Sequence, residues 1–419
     1  MPTDTHRTID AVWRIESARL IAALARMVRD VGLAEELAQD ALVAALEQWP
    51  EAGIPDNPGA WLMATAKHRA LDQLRRRKML NRKHEEIGRD LEARQGTTPD
   101  LEITLDDDVG DDLLRLIFTA CHPVLPREAR VALTLRLLGG LSTDEIARSF
   151  LVPESTMAQR VVRAKRTLSE KRVPFQVPRA EELDARLASV LEVIYLIFNE
   201  GYSATRGDDL LRPALCEEAL RLGRILAELA SNEPEVHGLV ALMEIQTSRF
   251  AARTDASGAP IRLNDQNRAL WNQLLIHRGL AALDRAERLG QTPGSYVLQA
   301  SIAACHARAA TLEQTDWPRI AALYAALAQV TRSPVVELNR AVAVGMAFGA
   351  AAGLEVVDAL ADEPSLKSYY LLPGVRADLL EKAGRLEEAR LEFERAAAMA
   401  QNSRERDLLL GRARAVIKA

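Results

Sequence analysis

Cysteine is scarce: Cys121, Cys216 and Cys305 are the only three in 419 residues, far apart and with no CxxC pair. That argues against a disulfide framework or a structural zinc site and fits a reducing cytosol. Long hydrophobic runs are missing too. The longest uncharged apolar stretch, Ala341 to Leu354, is shorter than the ~18–20 residues that cross a bilayer. It reads as a buried helix or a close helix contact around Gly345, Gly349 and Gly353. Asp4, Arg7 and Asp10 interrupt the N-terminus, so no signal-peptide core is expected. A soluble, cytoplasmic chain with no membrane partner is expected. The seven histidines are scattered, and HExxH, Walker A, GxGxxG and GxSxG patterns do not occur. An enzyme, a metal site and a cofactor are therefore not expected. Cys121-His122, the one adjacent pair of soft ligands, is followed by Pro123 and reads as a helix end.

Strand signals are absent as well, with no alternating apolar pattern and no Asn-Gly turn. What is present is helical. Ala, Leu, Arg and Glu dominate, and apolar residues recur as at Leu20, Leu24, Met27, Val28 and Val31. The predicted class is all-α, and the length suggests two to four domains. A net charge of −5 conceals a strong partition: +2 over residues 1–83, −9 over 84–112 and +6 over 113–172. Two basic blocks joined by an acidic linker suit binding of an acidic polymer, whereas a lone acidic run is normally just a solvated spacer.

In the first block, Leu33, Leu37, Ala41 and Leu42 predict the core stripe of a helix. Glu35, Glu36, Gln39 and Asp40 then share its polar face, which by spacing alone is simply solvated. A loop is predicted from Pro50 to Pro58, and Pro58 opens a second helix running to about Lys83. Trp61, Leu62, Ala66, Ala70 and Leu74 face its core. Lys67, Arg69, Arg75, Arg76, Arg77, Lys78, Arg82 and Lys83 load the other side against a single acid, Asp72. Helix-end cations favour the dipole, but eight exceed that need and suit phosphates.

The second block is more specific. Ser142-x-x-Glu145 fits a capping box for a short helix to about Ser149. A tight connection, Phe150 to Pro153, leads to a helix starting at Glu154-Ser155-Thr156. Met157, Val161, Ala164 and Leu168 form its apolar face; Gln159, Arg160, Arg163 and Arg166 lie opposite, with Lys165 beside them. Two short helices, the second polar at its start and basic along its length, describe a helix-turn-helix. A plain helical hairpin leaves the basic run unexplained.

Together these segments resemble the extracytoplasmic-function (ECF) sigma factors of bacterial RNA polymerase. Ala34-Glu35-Glu36-Leu37-Ala38-Gln39-Asp40 is similar to the family's polymerase-binding helix, and Trp61 to Arg76 to its −10 helix. Leu141 to Leu168 is similar to the region 4 helix-turn-helix. Residues 1–83 then correspond to region 2, 84–112 to the linker and 113–172 to region 4. The resemblance implies docking on the clamp of core polymerase through Glu35, Glu36, Gln39 and Asp40. It implies capture of the −10 element by Trp61, Lys67, His68, Asp72, Arg75 and Arg76. Reading of the −35 element falls to Glu154, Ser155, Thr156, Gln159, Arg160, Arg163 and Arg166. The family usually has asparagine where His68 stands and an apolar residue at Arg69, so its promoter catalogue does not transfer.

Residues 173–419 resemble the subgroup with a tetratricopeptide-like helical extension, expected to be regulatory and to offer a surface to a protein or peptide partner. Ala377, Leu380, Gly384, Ala389, Phe393 and Ala396 fit one repeat pair. Arg319 to Val330 with Val335 to Ala347, and Leu211 to Phe250, suggest others. Two segments of that subgroup, Tyr195 to Tyr202 (YLIFNEGY) and Asn264 to Trp271 (NDQNRALW), read structurally as helix stops and caps at Asn199, Gly201 and Asn264. The rival readings are a helix-turn-helix regulator that works without polymerase and an interaction scaffold whose basic helices are incidental.

Overall fold

The computed structural model describes residues 4–88, 109–150, 152–203, 211–255, 258–290, 292–400 and 402–416. Most of the acidic linker (89–108) lies outside them, as do the side chains of Arg77, Lys78, Arg82 and Lys83. The described residues are helical, with a single isolated β-bridge between Thr254 and Pro260 and no named strand. None of their helices is long and apolar enough to cross a membrane. The chain divides into two compact units, residues 1–193 and 194–419.

The first unit opens with α1 (Asp4–Val28), α2 (Val31–Ala52) and α3 (Pro58–Gly88), which pack on one another. Their core comes from the expected periodicity: Leu20, Leu24, Leu33, Leu37, Ala41, Leu62, Ala66 and Ala70 are buried. Asp30 caps α2 by accepting from the Leu33 amide at 2.9 Å, and Asn57 accepts from the Ala60 amide at 3.0 Å beside the start of α3. The predicted loop begins late, because α2 carries Pro50 inside its last turn and ends at Ala52. Next come α4 (Val109–Ala120), α5 (Arg127–Leu137), α6 (Thr143–Ser149) and α7 (Glu154–Glu170), with α1 packed on α4 and α7 on α5 and α6. The start of α8 (Ala180–Tyr202) completes the unit: Arg186 donates to the Phe118 carbonyl at 2.8 Å, and Glu192 pairs with Arg130 at 3.1 Å.

In the second unit, sequence neighbours pack in succession. Helices α9 (Pro213–Leu229), α11 (Gln273–Leu289) and α12 (Ser295–Arg308) surround α10 (Pro234–Thr247), whose residues Val236 to Ile245 are all buried. A helix apolar nearly all round belongs at such a centre. Further cores follow in order along the chain. One joins α12 to α13 (Trp317–Thr331) and α14 (Pro334–Phe348) through Ile302, Ile320, Leu327 and Ala343. The last joins α14, α15 (Ala350–Asp358), α16 (Leu371–Lys382), α17 (Leu386–Met399) and α18 (Ser403–Val416). Ala377, Leu380, Ala389, Phe393 and Ala396 are each fully buried there. Gly349, at φ +100°, separates α14 from α15 in a conformation that a side chain would strain.

The reading of Gly201 as a helix stop is corrected. It lies inside α8, where an added Cβ would come within 2.7 Å of the Cys216 sulfur. It is small because α9 approaches there. In the second motif Asn264 lies inside a 3₁₀ turn, Leu263–Asp265, and the cap is Asn267, for a 3₁₀ turn at Arg268–Leu270; Asn272, just after the motif, caps α11.

Candidate nucleic-acid interface

The helix-turn-helix forms as its sequence requires. Ser142 Oγ accepts from the Glu145 amide at 3.1 Å while Glu145 Oε2 accepts from the Ser142 amide at 2.8 Å, so the capping box on α6 is complete. Helix α7 buries Met157, Val161, Ala164 and Leu168 and turns its other face outward. Glu154, Ser155, Thr156, Gln159, Arg163 and Arg166 are exposed, and Arg160 is half-buried. Arg163 Nη2 donates to Gln159 Oε1 at 3.5 Å, and Arg166 pairs with Glu170 at 2.6 Å. The first turn of α7 therefore presents hydroxyls and free amides, with cations behind, a suitable surface for phosphates and base edges.

On α3, Trp61 is half-buried with its ring edge-on to Trp49, centroids 5.4 Å apart. Lys67 is half-buried; His68, Asp72, Arg75 and Arg76 are exposed, and Arg75 pairs with Asp72 at 3.6 Å. Arg69 reaches Asp40 of α2 at 3.7 Å. The residues assigned to the −10 element thus share one helix and those assigned to −35 share another. Among the described residues no hydrogen bond or ion pair joins the two sets.

The acidic face of α2 requires a correction. Glu36 and Asp40 are exposed, but Glu35 is only 3% exposed. Its carboxylate accepts from Arg136 Nε of α5 at 2.6 Å, Lys165 Nζ of α7 at 2.8 Å and Gln39 Nε2 at 2.9 Å. Glu35 is therefore not on a solvated face, because α5 and α7 cover it. Lys165 likewise leaves the outward basic row. The seam continues through Arg14, which donates to the second oxygen of the capping carboxylate Glu145 at 2.7 Å, and through Arg26 with Asp112 at 3.2 Å. Ser169 of α7 donates to Asp30 at 3.3 Å beside a cleft of about 620 Å³ lined by Arg26, Arg29, Lys165 and Arg172. Sequence reasoning missed Arg136 and Arg14. Their partners lie 101 and 131 positions away, and no local pattern announces such pairs.

Burial pushes the Cys121 thiol up to about 11, and the Cys216 thiol up to about 12. All three cysteines are free and buried. His122, beside Cys121, is drawn down to about 4 by burial and then by Arg186. Among the described residues no group of three acidic, histidine or cysteine side chains is placed to hold a metal ion.

Residues 14–79 match the sigma-70 region 2 family and residues 115–168 the sigma-70 region 4 family. Residues 186–287 match a family of unknown function, DUF6596. A Rhizobium meliloti (strain 1021) protein, "Uncharacterized protein R00370", is 44% identical over 387 residues, covering 92% of this chain and 90% of that one. The probable ECF RNA polymerase sigma factor SigI of Mycobacterium tuberculosis is 30% identical over 179 residues, or 42% of this chain and 59% of SigI. The ECF RNA polymerase sigma factor SigK of Mycobacterium bovis is 29% identical over 158 residues, 36% of this chain and 78% of SigK. No solved structure matches. Sigma-70 regions 2 and 4 thus stand in order along this chain, whose first part is similar to extracytoplasmic-function sigma factors, and a long C-terminal helical extension follows them in sequence.

Proposed function

We propose that the protein binds core RNA polymerase and promoter DNA and directs initiation from particular promoters, under control of its C-terminal unit. The observation that carries this reading is the capped helix-turn-helix with an outward polar and basic face on α7. Glu154, Ser155, Thr156, Gln159, Arg160, Arg163 and Arg166 read the −35 element as duplex. Trp61, Lys67, His68, Asp72, Arg75 and Arg76 hold the −10 strand once it separates, and the Pro50–Pro58 segment receives a flipped base. Extruding a base costs a few kcal/mol, which backbone contacts and stacking offset. The acidic linker occupies the path of nascent RNA, its carboxylates imitating phosphates.

Glu35, Glu36, Gln39 and Asp40 dock on the polymerase clamp. Because Glu35 is covered by α5 and α7, docking through all four requires region 4 to leave region 2 first. The compact unit is thus a resting arrangement that polymerase must open. The successive helix pairs of the extension support a tetratricopeptide-like surface for a protein or peptide partner that governs this opening.

Run-off transcription with core polymerase and a genomic promoter library, with and without the full chain, tests the reading. Discrete start sites that depend on the chain are expected. Duplex binding without initiation would instead indicate a regulator that works apart from polymerase. For the extension, a chain ending at Tyr202 is preferable to one ending at Arg172, since it retains the Arg186 and Glu192 contacts with region 4. Unchanged output and regulation in that shortened chain would remove the control role.

A further inference from the structure

One cavity of the C-terminal unit is lined in part by the first motif, YLIFNEGY, and is bordered by neighbours of the second, NDQNRALW, none of whose own described residues lines it. It measures about 280 Å³ and takes Tyr195, Phe198, Asn199 and Tyr202 from the first motif. Beside the second motif, the neighbouring Leu263 lines it, and Trp271 lies under the guanidinium of the lining residue Arg249, 5.7 Å from the ring centroid. Its walls also include Leu242, Ile302, Leu327 and Val336, and among the described residues no carboxylate lines it.

Three polar side chains on this wall have unanswered atoms. Arg249 has a buried Nε without a partner, and among the described residues its side chain makes no hydrogen bond or ion pair. Gln246 Oε1 is buried with no donor, and so is Nδ1 of His306, a residue only 8% exposed. Neighbouring groups are already committed. Arg268 donates to the carbonyls of His306 and Ala309 and to Thr315 Oγ1, and Tyr195 donates to Gln299 at 2.9 Å. An adjoining groove, sharing His306 and Tyr324, contains charges that neutralise one another, Arg412 with Asp378 and Glu381. In the inner cavity the lining cation Arg249 has no such carboxylate partner among the described residues. Buried polar atoms without partners are costly, and native proteins keep few of them unless something fills the site.

We propose that this cavity binds a small organic carboxylate with an apolar or aromatic body. The carboxylate pairs with Arg249, a donor group on the ligand meets Gln246 or His306, and the body lies against Phe198, Leu242 and Ile302. The volume falls just under the range of about 300–1,000 Å³ usual for small-ligand sites, which favours a metabolite over a chain segment. The inference does not depend on the transcriptional role, because binding is read on the free protein.

The test is titration calorimetry of the full chain with 4-hydroxyphenylacetate, its neutral amide and inorganic phosphate. Tryptophan fluorescence is followed in parallel, since Trp271 lies under Arg249 and Trp317 stands edge-on to His306 at 5.2 Å. Saturable binding of the acid is expected, with a change in fluorescence. The amide should bind roughly 10- to 100-fold more weakly, the usual worth of a charge-assisted pair. Arg249→Gln and Gln246→Leu, each checked for an unchanged helical circular-dichroism spectrum, should both weaken the acid, the first abolishing its preference over the amide. No binding of the acid, equal binding of acid and amide, or equal binding of phosphate overturns the proposal. So does a folded Arg249→Gln chain that binds as the parent does.

Discussion

Glu35 illustrates how one side chain changes meaning with its surroundings. A carboxylate enclosed by two cations and an amide is stabilising only while the set is whole; removing one member leaves the others buried and unpaired. Arg136 and Lys165 are 22% and 20% exposed, so the effect falls at the lower end of the buried-pair range. Glu35→Ala should destabilise the first unit by about 3 kcal/mol, read by urea denaturation; a loss below about 0.5 kcal/mol, the surface-pair value, would mean the contact is incidental. His306 sets a second residue-scale expectation. Burial, then Arg249 and Arg268, draws its imidazole down to about 4, whereas the unfolded chain titrates near 6.5. Between those values the unfolded state takes up the extra proton. The stabilising contribution is therefore complete above about pH 6.5 and drains away as pH falls toward 4, by roughly 3 kcal/mol in all. His306→Gln should lose less stability than the parent between pH 7 and 4.5. An identical loss in both chains would show that His306 is not the group titrating.

At the scale of elements, α6 and α7 were the most legible part of the sequence. The capping box, the apolar stripe Met157, Val161, Ala164 and Leu168, and the exposed polar row all depend on neighbours within a few positions. Ser142→Ala should cost about 1 kcal/mol, measurable by thermal melting, with little effect on the helices of the second unit. Arg163 is exposed, and among the described residues its side chain hydrogen-bonds Gln159 alone. Arg163→Ala should leave stability within about 0.5 kcal/mol while weakening duplex binding and lowering its salt slope by about 1 if the side chain meets a phosphate. An unchanged slope would place it over a base edge or off the DNA. Other elements were misjudged for physical reasons. Pro50 suggested a loop, yet α2 carries it in its last turn. Gly201 suggested a stop, yet its smallness serves the approach of Cys216, which only the tertiary packing reveals.

For the whole molecule, class and order were legible, because helical periodicity, an acidic spacer and two basic blocks are properties of the chain itself. Assembly was less so. The burial of Glu35 depends on Arg136 and Lys165, and the cavity that gathers Tyr195, Phe198, Gln246, Arg249 and His306 draws them from distant parts of the chain. The closed seam also has an arithmetic consequence. Any partner that needs the Glu35 carboxylate bare must draw on the small fraction of molecules in which α5 and α7 have moved away. A seam worth about 3 kcal/mol would cut that partner's apparent affinity by roughly a hundredfold. A second binder that holds the seam open would restore it without touching the partner at all.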